Sequence, residues 1–148
     1  RSPRRFGKEI IHLMALTLEI VTPDSQVYSD TVDTVVIPTV EGEIGVLPGH
    51  LPLLTQVDDG ELLVTKGNST EYLAVSGGFA QISGDKVSVL AEHACSEEAI
   101  DENAVEEALK RAEQNLKDAK DVDPRQFEHL QSLVRFSGIQ LALKRRRR

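Results

Sequence analysis

Glu41, Glu43 and His50 fall within one ten-residue stretch, and Glu92, His93 and Cys95 form a second polar group. Carboxylates and imidazoles are the ligands of zinc and iron sites, so these acids and histidines could in principle share a metal. The spacing argues against it. There is no His-x-His, no His-x-x-x-His and no second cysteine, so none of the usual ligand pairings is available. His50 is therefore read as a surface contact residue. Cys95 beside a histidine could make a thiol nucleophile, but the flanking signature of such sites is missing, and a buried or boundary cysteine is expected. Gly42-x-x-Gly45 and Gly77-Gly78 lack the lysine and the strand-to-helix setting of a phosphate loop. His129 is read as a surface residue on a helix. The residues specify no catalytic group, no metal and no cofactor.

The elements that carry these groups fall into two kinds. From Met14 to about Ala94 the pattern is β throughout. Leu16, Leu18 and Ile20 alternate with Thr17 and Glu19, the period of a half-buried strand. Val27-Tyr28 and Val32 to Ile37 are extended, the latter closed by Pro38. Pro38 to Leu54 contains three prolines and three glycines threaded with apolar residues, which reads as a rigid loop with a partly apolar surface. Glu61 to Lys66 and Glu71 to Val75 flank Gly67-Asn68-Ser69 as a hairpin. Gly77-Gly78 reads as a bulge or a close backbone approach before Phe79 to Ile82. Lys86 to Ala91 alternates again. Eight or so short strands with frequent turns predict a sandwich or flattened barrel.

After Ser96 the composition turns to Ala, Glu, Lys and Leu. Val105, Ala108, Leu109, Ala112, Leu116 and Ala119 recur at helical spacing, a narrow, alanine-rich stripe. Asp101 or Asn103 can cap this helix. Glu106–Lys110, Glu107–Arg111 and Glu113–Lys117 stand at i,i+4 and are read as supporting pairs. Asp123-Pro124-Arg125-Gln126 starts a second helix, with Phe127, Leu130, Val134 and Leu141 continuing it to about Lys144. The two make an antiparallel helical hairpin with a thin core. The division is thus 1–13, a leader or appended extension expected to be disordered, 14–94, the β-sandwich domain, and 95–148, the hairpin with a basic tail.

The net charge of −7 conceals an asymmetry. Residues 14–143 hold 8 of the bases and 23 of the acids, a net of −15, while Lys144 to Arg148 are all basic. So acidic a body repels nucleic acid. The tail is read as a solvated, frayed end, or else as a contact for an acidic partner or anionic lipid. No apolar run is long enough for a membrane span.

Glu41-Gly42-Glu43-Ile44-Gly45-Val46-Leu47-Pro48-Gly49-His50-Leu51-Pro52-Leu53-Leu54 resembles the central motif of the ε subunits of F-type ATP synthases, which correspond to mitochondrial δ. Leu16 to Pro23, Leu73 to Phe79, Val87 to Ala91 and the helical start Ile100-Asp101-Glu102-Asn103 agree in order. The resemblance implies a sandwich of about ten strands followed by a helical hairpin, and a non-catalytic role in the rotor's central stalk. It implies that the sandwich binds the γ subunit and the c-subunit ring, coupling ion flow to ATP synthesis. Glu41, Glu43, Ile44, Val46, His50, Leu51 and Leu54 would form that interface. It further implies that the hairpin can extend to the α and β subunits and inhibit hydrolysis. Lys110, Arg111, Lys117, Arg125, Arg135 and the tail from Lys144 to Arg148 are then expected to touch acidic surfaces of those subunits. The expected location is peripheral, on the cytoplasmic face of a bacterial inner membrane or in an organelle, with membrane contact only through the complex.

One position departs from the family. Some members bind ATP through Ile-Asp-x-x-Arg-Ala, and here Ala104 stands where the arginine would be. Without that guanidinium, and beside Glu102, Glu106 and Glu107, no tight nucleotide site is expected; Asp101 is read as a helix cap. Two other classes fit the elements: a free-standing sandwich module with a helical dimerisation arm, and a small metal-dependent enzyme of the cupin type. Sparse aromatics and no tryptophan count against saccharide binding by the first, and the missing His-x-His counts against the second.

Overall fold

The structure, a computed structural model, describes residues 15–119 and 123–147. Residues 1–13, read above as a leader, lie outside the described residues. Ten strands form two five-stranded sheets. The first has the order β2 (Gln26–Val32), β1 (Leu16–Val21), β9 (Lys86–Leu90), β8 (Phe79–Ser83), β5 (Leu53–Gln56). The second has the order β10 (His93–Ser96), β7 (Ser69–Ser76), β6 (Gly60–Lys66), β3 (Thr34–Thr39), β4 (Gly42–Val46). The chain passes back and forth between the sheets, β1–β2, β5 and β8–β9 lying in the first and β3–β4, β6–β7 and β10 in the second, and β1 and β9 pair in parallel.

Alternation along each strand sends one set of side chains into the space between the sheets. Leu16, Leu18 and Ile20 from β1 meet Val35, Ile37, Leu62, Val64, Leu73, Val75, Ile82, Val87 and Val89 in one aliphatic core. The β6–β7 and β8–β9 turns each place glycine first, Gly67 at φ 59° and Gly84 at φ 60°, as two-residue hairpins of type II′ require. The Gly77-Gly78 pair is a close approach. A Cβ on Gly78, whose φ is +95°, would lie 1.8 Å from the Leu90 carbonyl oxygen, so no other residue fits there.

Two expectations about strand limits change. Val32 to Ile37 is not one piece, because the chain crosses from the first sheet to the second at Asp33, whose side chain accepts from Gly67 N–H at 2.6 Å. Pro38 does not close a strand but lies inside β3. Its carbonyl accepts from Asp58 N–H at 3.0 Å. A strand residue's N–H and C=O share one side, so the missing N–H faces away from β4 and costs no β3–β4 bond.

Beyond β10 a single 3₁₀ turn (Glu97–Ala99) leads to α1 (Glu102–Asp118) and α2 (Pro124–Arg147), which pack against each other. Asp101 caps α1, its carboxylate accepting from Ala104 N–H at 3.2 Å. Asp123 accepts from Arg125 N–H at 3.0 Å at the start of α2, next to Pro124 at the first helical position. α2 lies on β7 through a second, smaller apolar cluster of Ala74, Ile100, Phe136 and Leu143. The three i,i+4 pairs expected on α1 do not close as ion pairs; Glu106 turns instead to Arg145 of α2 at 3.6 Å.

Candidate functional site

Two regions carry the residues nominated from sequence. The first is the free edge of the second sheet. β3 and β4 form a hairpin, so Pro38 to Leu54 is a strand flanked by two turns rather than one loop. At one turn Thr39 donates its hydroxyl to the Gly42 carbonyl at 2.5 Å and accepts from Glu41 N–H at 3.2 Å. At the other, Gly49 N–H donates to Asp85 in the β8–β9 turn at 3.3 Å, and His50 Nδ1 lies 2.6 Å from the Leu51 carbonyl oxygen. The first turn is thereby closed on itself by Thr39, and the second is tied to the Asp85 side chain.

Along this edge Glu41 and Glu43 are exposed, and Leu51 and Leu54 are 80% and 69% exposed. Val46 is a correction. It is fully buried in the sandwich core, because strand alternation turns it inward with Ile44 while Glu43 and Gly45 face out. It holds the edge from beneath and presents nothing to a partner. Val40 and Leu47, 55% and 61% exposed, belong to the surface and were not singled out as contacts. Phe79 and Leu90 join Leu54 on the outer face of the first sheet. Leu51, Leu54, Val40, Leu47, Phe79 and Leu90 are six exposed large apolar side chains on short strands and turns, the kind of surface that partners cover.

The second region is the seat of the hairpin. His93 on β10 stacks on Phe136 of α2 at 5.2 Å, and its Nε2 lies 3.0 Å from Ser132 Oγ. Ser132 is buried and also within 3.4 Å of Glu92. Burial pushes the His93 pKa below its ordinary value, overriding the opposing pull of Glu92, Asp24 and Asp59. Cys95 is half-buried on β10 and its thiol pKa is pushed up by burial, so it is a boundary cysteine and not an activated nucleophile.

The hairpin cations divide into two groups. Lys110, Arg111, Lys117 and Arg125 are exposed and, among the described residues, close no ion pair. Arg135 pairs with Asp59 at 3.4 Å and Lys144 with Glu97 at 3.9 Å, both on the sandwich side. Among the described residues the tail is not frayed: α2 continues to Arg147, and Arg145 and Arg146 lie on acids of α1 and β6. The imagined metal ligands are split, with Glu41, Glu43 and His50 at the β4 edge and Glu92 and His93 at the β10 edge of the same sheet. Four strand spacings separate them, about 19 Å. Among the described residues no group of acids, histidines or cysteine is arranged to hold a metal ion. None of the described helices is long and apolar enough to cross a membrane.

Residues 15–97 match the family model described as the β-sandwich domain of the ATP synthase delta/epsilon chain. The chain belongs to that family. An ATP synthase epsilon chain from Alkalihalophilus pseudofirmus is 44% identical over 108 residues, covering 73% of this chain and 81% of that one. The epsilon chain of Halalkalibacterium halodurans is 38% identical over 130 residues, 88% of this chain and 90% of its own. Among solved structures, a chain of the Euglena gracilis mitochondrial ATP synthase, in a complex of OSCP, F1 and c-ring, superposes with a TM-score of 0.64 at 25% identity. The match covers 86% of this chain and 80% of that one. A chain of the Tetrahymena thermophila mitochondrial enzyme, TM-score 0.51 at 16% identity over 88% and 95% of the two chains, shares the fold. As an ATP synthase epsilon chain, this protein is a non-catalytic subunit of the complex.

Proposed function

We propose that the β4 edge and its two turns are the contact through which the sandwich joins the γ subunit and the c-subunit ring, coupling ion flow to ATP synthesis by the α and β subunits. The observation that carries this reading is the combination of exposed Leu47 and Leu51 with Glu43 and His50 on a backbone pinned at both turns. Apolar anchors supply affinity and rim charges set orientation, and a pinned edge transmits force without first deforming. Replacing Glu43 by Lys and His50 by Ala tests it. Recovery of the subunit with γ and the c ring should fall at least several-fold while the isolated chain keeps its melting temperature. Undiminished recovery would remove this edge from the interface.

The hairpin is the regulatory part of the same reading. Lys110, Arg111, Lys117 and Arg125 are exposed while it is folded down, whereas Arg135 and Lys144 become available only when it lifts. Extended, these cations would meet acidic surfaces of the α and β subunits and block hydrolysis. The subunit would work as a peripheral part of the membrane complex on its cytoplasmic face, or in an organelle. Ala104 and the acids around it disfavour a tight ATP site at the α1 start. Release of the hairpin is then governed by its contacts with its own sandwich.

A further inference from the structure

A run of like charges at a chain end ordinarily repels itself into solvent. Here each of the four cations from Lys144 to Arg147 has a partner. Lys144 Nζ donates to the Glu97 carbonyl at 3.2 Å and lies 3.9 Å from its carboxylate. Arg145 bonds Glu102 at 2.8 Å and reaches Glu106 at 3.6 Å. Arg146 pairs with Glu61 on β6, and Arg147 lies over the Tyr72 ring on β7 at 4.5 Å. Glu102 and Glu61 hold the two guanidinium groups firmly protonated. One turn of helix thus ties the end of α2 to the sandwich through Glu61 on β6 and Tyr72 on β7, to the 3₁₀ turn through Glu97, and to α1 through Glu102 and Glu106.

We propose that residues 144–147 form an electrostatic strap that holds the hairpin on the sandwich, so that ionic strength and charge at this strap set how often the hairpin lifts. The apolar seat beneath α2 is small, built on Ala74, Ile100, Phe136 and Leu143, and cannot by itself make the contact permanent. Individual exposed ion pairs are weak and salt-screened. Here the ion pairs of Lys144, Arg145 and Arg146 and the Arg147–Tyr72 contact lie on consecutive residues of one helix, and they sit against a body that carries a net −15. Because Lys144 is already used by the strap, it cannot touch another subunit until the strap opens. The strap deepens the proposed regulatory role and rests on it only for the consequence on hydrolysis. Docking itself is measurable on the isolated chain.

Cys95 is a natural reporter, since it is the only cysteine and lies under α2 near Gln140 and Lys144. Its alkylation by uncharged iodoacetamide is measured on the full chain at fixed pH and divided by the rate for the unfolded chain at the same salt. Between about 20 mM and about 500 mM NaCl the ratio should rise about tenfold, the summed effect of four screened contacts. In the triple variant Arg145→Ala, Arg146→Ala, Arg147→Ala the ratio should already be high at low salt and respond far less, the remaining response coming from Lys144 and Arg135. Glu61→Arg and Arg146→Glu should each raise it singly, and together bring it back down. A ratio unchanged by salt and by the triple variant, or a charge swap that restores nothing, would mean that packing alone seats the hairpin and would overturn the proposal. Hydrolysis by the assembled enzyme is read separately, so failure of the inhibitory role and failure of the strap are distinguishable.

Discussion

The sandwich and the hairpin are held by different kinds of force. Between the sheets, Leu16, Leu18, Ile20, Val35, Ile37, Leu62 and Leu73 are wholly shielded from water in a core without a polar group at its centre. Beneath α2 the apolar cluster is four buried residues, and much of the remaining contact is polar: His93 with Ser132, Arg135 with Asp59, and the strap. Aliphatic burial scales with area and is insensitive to salt and to mild pH change. Charged and imidazole contacts respond to both. These forces predict that the sandwich stays assembled, and under the proposed regulatory role the hairpin comes off without unfolding its neighbour.

The largest test of this contrast strikes the sandwich. Gly78→Ala forces a Cβ against the Leu90 carbonyl and a side chain into positive φ, and should cost on the order of 4 kcal/mol or abolish the folded chain, seen by thermal unfolding. Leu143→Ala, although that side chain is as shielded as the sandwich core, should behave otherwise. It should lose about 2–3 kcal/mol of hairpin docking and speed amide exchange in α2, while protection in β1 and β9 stays. Loss of protection in both would show that the two regions unfold as one.

The mildest test uses pH. Docking holds His93 below its ordinary pKa, and lifting the hairpin returns the ring to water. The lifted form therefore binds the proton more readily. Docking is at full strength above the ordinary histidine value of about 6.5 and weakens as pH falls through it towards the depressed docked value. His129, Glu92, Asp24 and Asp59 surround the ring and moderate the effect. Energy transfer between dyes on α1 and β2 should fall as the pH is lowered, and His93→Phe should flatten the response. Equal pH responses with and without His93 would assign the effect to the carboxylates.

The contrast also explains how much could be read from sequence. β1, the β6–β7 hairpin and the β8–β9 turn were legible because alternation and turn glycines are local signals. β4, β5 and β10 were not. The first lies among glycines and prolines, and the other two are four-residue strands, His93–Ser96 having no β-branched residue. Alternation from Glu43 turns Val46 inward, so its burial is legible in the strand pattern. The strap was beyond local reading, because Arg146 and Glu61 are 85 residues apart and a basic end in isolation looks solvated. The contact edge was visible in composition, but its partner came only through family resemblance.

The most direct test of a fixed sandwich with a removable hairpin is deletion of residues 97–148, just beyond the end of β10 at Ser96. The measurement is ATP hydrolysis by the assembled enzyme, normalised to the truncated subunit retained in it. Retention should be unchanged and hydrolysis should rise several-fold. Hydrolysis unchanged at full retention, or loss of the truncated sandwich from the complex, would contradict the division of roles.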